Sequence, residues 1–177
     1  MPVIPYLPQD IQEPRELVAA IRTRRGGRLL NLDRMLLHSP AFAAGWNSFL
    51  GTVRHALTVP DQLRELAICT IALINQAEYE FIQHAPEFIQ AGGREAQLQA
   101  LQKITSIAFQ PEEFSPQERA VIDLSVAMTR DIQVEPEIMS TAKAALANDQ
   151  QLLELIGIIA TYNMVSRYLV ALGIEPE

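Results

Sequence analysis

The stretch ELAICTIALINQAEYEFIQHAPEFIQAGG, residues 65–93, joins two apolar segments that each repeat with the period of an α-helix. The first segment is aliphatic and contains the only cysteine of the chain, Cys69. The second follows with almost no linker and ends at Gly92 and Gly93, a strong signal for the end of a helix. We therefore expect an antiparallel helical hairpin that turns at residues 75–77.

The helical pattern continues on both sides of this hairpin. Ser115, Pro116 and Glu118 have the spacing of a capping box with proline at the first helical position. No segment shows a sustained alternation of apolar and polar residues joined by hairpin turns, as strands would. We predict an all-α fold with about seven or eight helices and the hairpin at its core.

The 177 residues are enough for one hydrophobic core, so we expect a single domain overall. Residues 1–39 are predicted to form an N-terminal arm with short helices, and residues 40–177 the helical core domain. The first fourteen residues contain four prolines. This composition favours an extended arm that lies on the body of the protein or on a neighbouring subunit.

Charge and composition exclude several classes of partner. The net charge of −7 opposes binding to nucleic acid or to an anionic membrane surface. A single cysteine permits no intrachain disulfide, and the chain shows neither an apolar leader nor a run of about 18 apolar residues. We expect a cytoplasmic protein without nucleic-acid or membrane partners.

Three polar side chains in the hairpin are candidates for chemistry. Glu80 and His84 are four residues apart and share one face of the second helix. Glu65 lies about eleven residues before the turn and His84 about eight after it, so the two differ in depth by about one helical turn. The alternative is a solvated pair of Glu80 and His84 that contributes only tenths of a kcal/mol. The apolar surroundings favour burial, which pairs such groups and shifts their pKa values.

These residues carry a resemblance to the carboxymuconolactone decarboxylase and alkylhydroperoxidase D superfamily over residues 40–130. Peroxidase members have a helical glutamate and then Cys-x-x-Cys-x-x-x-His, with the glutamate nineteen residues before the histidine, as Glu65 stands before His84. The two cysteine positions are Ala77 and Glu80 here. The chain thus resembles the branch that lacks the disulfide, which includes the lactone decarboxylases. The resemblance implies an alkylhydroperoxidase D-like fold and a homo-oligomer, a trimer or hexamer.

The resemblance implies a lyase in which Glu65, Glu80 and His84 transfer protons on a small carboxylate or lactone substrate. His84 is the candidate general acid, Glu65 orients or polarises it, and Glu80 is a second acid or base or a hydrogen-bond anchor. This chemistry needs no metal or organic cofactor. A di-iron carboxylate site is not expected, because such sites use Glu-x-x-His twice and this chain has one Glu-x-x-x-His.

Other side chains in and near the hairpin are open to more than one interpretation. Tyr162 and Asn163 of the last helix are candidates to line the pocket, although core packing is the favoured interpretation for Tyr162. An acidic substrate would need local positive charge, for which the candidates are Arg64, Arg94 and Arg167.

Two alternatives to the lyase remain open. One is an alkylhydroperoxidase-like antioxidant activity, of the peroxiredoxin type, that works through Cys69 alone, although a buried apolar role is the favoured interpretation of this residue. The other is a non-catalytic helical oligomer or ligand-binding protein in which the glutamates and the histidine form a structural hydrogen-bond network.

Overall fold

The computed structural model describes residues 1–177 and contains helices but no strands. Nine α-helices and one short 3₁₀ turn, Pro111–Glu113, make up the fold. The helices are α1 (Arg15–Arg24), α2 (Asn31–Leu36), α3 (Pro40–His55), α4 (Asp61–Ile74), α5 (Glu78–Gln90), α6 (Glu95–Leu101), α7 (Pro116–Arg130), α8 (Pro136–Ala145) and α9 (Asp149–Leu172). The all-α prediction is confirmed. The helix count exceeds seven or eight because α2, with six residues, is too short to show a helical period.

The chain forms two compact units, residues 1–56 with 169–177, and residues 57–168. In the first unit the proline-rich arm lies on its own chain, where the backbone N–H of Val3 donates to the carbonyl of Leu172 at 2.9 Å. Arg34 of α2 also holds the arm, through a bond from Nε to the carbonyl of Leu7 at 2.5 Å. The predicted domain boundary at residue 40 stays a prediction.

In the second unit α4 is the central helix. It packs against α5 and α7, and α7 packs in turn against α8. Its middle is shielded from solvent on every side, as a helix that is apolar all round requires. The fully buried residues of α4 are Leu66, Ala67, Ile68, Cys69, Thr70 and Ile71. The side chains that α4 aims at α5 therefore lie in a nearly dry environment.

The turn between α4 and α5 makes the predicted hairpin tight. Gln76 adopts a left-handed conformation with φ of 54°. The N–H of Ala77 donates to the carbonyl of Ala72 at 2.8 Å, and the N–H of Gln76 donates to the carbonyl of Leu73 at 3.3 Å. This bonding pattern is the Schellman motif, which satisfies the last carbonyls of a helix. It ends α4 at Ile74 and lets α5 begin at Glu78, after a connection of three residues.

Helix α9 is the longest element of the fold, with 24 residues. By length and composition it is the one helix that could cross a membrane, and half of its most apolar window is buried inside the protein. Its buried side chains reach toward α5 and α7. Asn163, for example, donates to Thr129 Oγ1 of α7 at 3.0 Å.

Candidate functional site

A buried hydrogen bond joins the two helices of the hairpin. Nδ1 of His84 on α5 donates to Oε2 of Glu65 on α4 at 2.6 Å. The exposed fraction is 3% for Glu65 and 5% for His84, so neither side of the pair is solvated. The expectation that the hairpin brings these two residues within side-chain reach is confirmed, and the interpretation as a solvated Glu80–His84 pair is wrong.

Arg64 donates a hydrogen bond to the second carboxylate oxygen of Glu65. Its Nε donates to Oε1 at 3.1 Å, and its Nη1 donates to Asp61 one turn earlier at 2.6 Å. Burial alone would raise the pKa of Glu65, but the bond to His84 and the charges of His84 and Arg64 hold that pKa below its ordinary value. Glu65 is therefore an ionised carboxylate with both oxygens engaged.

The state of Glu65 determines the tautomer of His84. A carboxylate can only accept hydrogen bonds, so Nδ1 of the imidazole carries the hydrogen that lies between them. The proton that His84 gains or loses is consequently the one on Nε2. The bond to Glu65 therefore fixes the orientation of the imidazole, and the role of Glu65 in proton transfer stays a prediction.

Glu80 lies one helical turn before His84 and is 2% exposed. Its Oε1 accepts a hydrogen bond from Ser166 Oγ at 2.8 Å, and its Oε2 has no hydrogen-bond partner in the protein. Burial raises the pKa of Glu80 to about 8, and the bond from Ser166 offsets only part of this effect. The neutral, protonated form of Glu80 is therefore the main one at pH 7.

Helix α9 is the third helix that contributes side chains to this cluster, after α4 and α5. The ring of Tyr162 meets the imidazole of His84 edge-on, with centroids 5.1 Å apart and planes at 87°. Ser166, one turn later on α9, contacts Glu80. Tyr162 is 1% exposed, so it both packs in the core and touches His84. Asn163 instead bonds Thr129 and Asn75.

The cysteine does not have the surroundings of a reactive thiol. Cys69 is fully buried on α4. Burial raises the pKa of its thiol far above the ordinary value, and the neighbouring carboxyl groups of Glu65 and Glu80 raise it further. A low pKa and access to solvent are the properties that make cysteines nucleophilic, and Cys69 has neither.

The cluster thus combines a histidine of fixed tautomer with a carboxylic acid that keeps its proton at neutral pH. Such groups can donate protons to a substrate or hold developing negative charge. Of the three arginines considered for an acidic substrate, Arg64 is the one in this cluster, whereas Arg94 bonds Glu113 and Arg167 bonds Asn163. No three histidine, cysteine, aspartate or glutamate side chains converge as a metal site would require.

Ser166 is the residue that sequence reasoning missed. It lies 86 residues after Glu80, and a serine inside an apolar helix gives no periodic signal of its partner. The spacing of Arg64 and Asp61 does indicate their contact, because residues three apart on a helix are neighbours.

Comparisons with known proteins agree with this fold. Residues 40–111 match the model of the carboxymuconolactone decarboxylase family. No curated protein matches the sequence. Among solved structures, an uncharacterized peroxidase-related protein from Silicibacter sp. TM1040 superposes with a TM-score of 0.81 at 16% identity, over 99% of this chain and 94% of that one.

Two further structures have the same fold. The alkylhydroperoxidase AhpD core of an uncharacterized peroxidase-related protein from Ralstonia eutropha JMP134 gives a TM-score of 0.76 at 14% identity, over 97% of this chain and 87% of that one. A cysteine-to-alanine variant of the debrominase Bmp8, in complex with 2,3,4-tribromopyrrole, gives 0.77 at 14% identity, over 100% and 94%. The family model supports the resemblance to the carboxymuconolactone decarboxylase family over residues 40–111. The solved structures show that the chain has the alkylhydroperoxidase D-like fold, and the chain has one cysteine and therefore no cysteine pair.

Proposed function

We propose that this protein is a cytoplasmic carboxymuconolactone decarboxylase-like enzyme that transfers protons on a small carboxylate or lactone substrate without a metal or organic cofactor. The observation that carries the proposal is the buried bond between Glu65 and His84, with the buried carboxyl of Glu80 one helical turn away. Glu65 orients His84, and His84 and Glu80 exchange protons with the substrate.

The reaction needs a proton donor at carbon. When an unsaturated lactone loses a γ-carboxylate as CO₂, the electron pair of the broken carbon–carbon bond passes into the conjugated lactone. The resulting dienolate regains a proton at carbon, and the net change is one CO₂ lost and one proton taken up. His84 holds a proton at Nε2 when charged, and an imidazolium is suited to deliver it.

The neutral state of Glu80 removes an electrostatic objection to an acidic substrate. The net charge of −7 would repel a carboxylate, and three ionised groups at the cluster would add to that repulsion. Arg64 instead balances the charge of Glu65, and Glu80 is mainly neutral at pH 7. Glu80 can also donate a hydrogen bond to the oxygen on which the dienolate charge develops.

A hydroperoxidase that works through Cys69 is disfavoured by the environment of the thiol. Peroxide reduction requires a thiolate that solvent can reach. Cys69 is fully buried, and its pKa is raised by burial and by two neighbouring carboxyl groups.

The test is CO₂ release from carboxymuconolactone and from a panel of related unsaturated lactone acids. We expect His84→Gln and Glu80→Gln each to lower kcat by about 10²- to 10⁴-fold, the usual contribution of a general acid. His55→Gln changes an exposed histidine at the end of α3 and is the matched control, expected to retain full activity. Unchanged turnover in His84→Gln would refute the proposed roles, and absence of turnover with every lactone would refute the activity.

Glu65→Gln tests the orienting role separately. Because Arg64 donates to Oε1, the amide oxygen of glutamine is expected there and its NH₂ group toward His84. The imidazole would then accept at Nδ1 and carry its hydrogen on Nε2 in the neutral form, the wrong tautomer. We expect lower kcat with little change in melting temperature. A large loss of stability in a protein without catalysis would support the structural interpretation.

We also propose that the protein is a homo-oligomer, a trimer or hexamer, as the resemblance to the carboxymuconolactone decarboxylase family implies. An exposed apolar seam on α9 supports this proposal. Its residues, spaced alternately four and three apart as in helix–helix interfaces, are Leu153, Gly157, Ala160 and Met164. Leu153→Glu is expected to lower the mass measured by light scattering to that of a smaller species. An unchanged mass in this variant, or a monomeric wild type, would refute the role of the seam.

A further inference from the structure

The two oxygens of Glu80 have unequal surroundings. Oε1 accepts the hydrogen of the Ser166 hydroxyl at 2.8 Å, whereas Oε2 is buried and has no hydrogen-bond partner in the protein. A hydroxyl that donates to Oε1 requires an acceptor there. In the neutral carboxyl group the proton is therefore on Oε2.

We propose that Ser166 is a positioning residue that, by donating to Oε1, keeps the proton of Glu80 on Oε2 and presents Oε2 as the donor to the substrate. This inference rests on the proposed function, since it describes how the acid at that site is held. Ser166 does not touch the reacting atoms and acts through Glu80.

The packing of α5 and α9 shows that this contact is built into the fold. Glu80 and His84 are four residues apart on α5, and Tyr162 and Ser166 are four apart on α9. Tyr162 meets His84 and Ser166 meets Glu80, so the two helices pair in opposite directions with matched turns. Ser166 is fully buried, and water does not compete for its hydroxyl.

Several ionisable groups belong to the same cluster as Glu80 and enter any measurement of its titration. They are Glu65 and Cys69 from α4, His84 from α5 and Tyr162 from α9. Glu65 already has Arg64 and His84 on its oxygens, and Cys69 keeps its proton. Substitution of Ser166 changes none of these side chains, so a shift between variants reports on the serine contact.

The experiment is ¹³C NMR of protein labelled at the glutamate carboxyl carbons, with Glu80→Gln to assign the Glu80 signal. The Ser166 hydroxyl stabilises the ionised form, so Ser166→Ala is expected to raise the Glu80 midpoint by about one pH unit, a tenfold change in proton affinity. Ser166→Thr restores a hydroxyl and is expected to bring the midpoint back toward the wild-type value. Ser125→Ala removes another buried hydroxyl, which bonds the carbonyl of Val121 in α7, and is expected to leave the midpoint unchanged.

An unchanged midpoint in Ser166→Ala, or an equal shift in Ser125→Ala, overturns the inference. Turnover separates it from the proposed function: Ser166→Ala is expected to lower kcat about tenfold with little change in KM. If CO₂ release depends on Glu80 but Ser166→Ala keeps the full kcat, the positioning role fails and the function stands. If the midpoint shifts but no lactone is turned over, the proposed function is refuted, whereas the hydrogen bond by which Ser166 positions the Glu80 carboxyl is supported.

Discussion

The buried carboxyl of Glu80 makes the stability of the protein depend on pH in a way that one substitution isolates. In the unfolded chain Glu80 titrates near its ordinary value of 4.5, and in the folded protein burial raises its pKa to about 8. Between these values the folded protein holds one proton more than the unfolded chain. The free energy of unfolding therefore falls by about 1.4 kcal/mol for each pH unit across this range.

The whole effect follows from the two pKa values. The contribution of Glu80 is fully present below pH 4.5 and is lost as pH rises through about 8. The two values differ by about 3.5 pH units, which corresponds to a total loss of about 5 kcal/mol, of which about 4 kcal/mol falls between pH 4.5 and pH 8. The side chain in Glu80→Gln is neutral in both the folded and the unfolded state, so this variant does not show the loss. It also keeps an acceptor for Ser166.

We expect the difference in free energy of unfolding, Glu80→Gln minus wild type, to increase by about 4 kcal/mol from pH 4.5 to pH 8 when both are measured by urea denaturation. All other groups titrate in both proteins, so the difference isolates Glu80. Glu78→Gln removes an exposed carboxylate from the same turn of α5 and controls for the loss of a charge. A difference that stays constant within about 1 kcal/mol would refute the account of a buried neutral carboxyl.

Three further predictions concern other parts of the second unit and the hairpin. Cys69 is expected to resist a thiol reagent at neutral pH and to react only after unfolding; fast labelling of the folded protein would contradict its burial. Gln76→Gly is expected to raise the free energy of unfolding by up to about 1 kcal/mol, since glycine adopts the left-handed conformation without strain; a loss in urea denaturation would contradict this. Gly93→Ala is expected to lower it by about 1–3 kcal/mol, because the new Cβ would overlap the ring of Phe88. Gly45→Ala, with open space around the new Cβ, is the control and is expected to show no such loss.

The hairpin and its buried pair could be predicted from local sequence because both depend on short-range geometry. The rise of a helix and the short connection at residues 75–77 determine the depths of Glu65 and His84. The turn residue itself gave no signal. Gln76 occupies a position that usually holds glycine, and the cost of that conformation is offset by the packing of α4 on α5.

The other half of the site comes from α9. The sequence offered Tyr162 and Asn163 of this helix as candidates, but local patterns do not show which residues of α9 reach the hairpin. Ser166 and Tyr162 meet α5 only because of how the helices of the second unit pack. Helix α9 is apolar nearly all round, so its sequence does not indicate which face is directed at the hairpin. The protonation state of Glu80 could not be predicted from local sequence either, because it depends on burial and on the hydroxyl of a serine 86 residues away.

The most direct test of the central claim is the fate of the proton during turnover in D₂O. Wild type is expected to release one CO₂ from carboxymuconolactone and to place one deuterium on the carbon that regains a proton, as measured by NMR of the product. His84→Gln and Glu80→Gln are expected to slow both events together by about 10²- to 10⁴-fold. CO₂ release without deuterium at carbon, or labelling at the wild-type rate in both variants, would contradict proton delivery by this cluster.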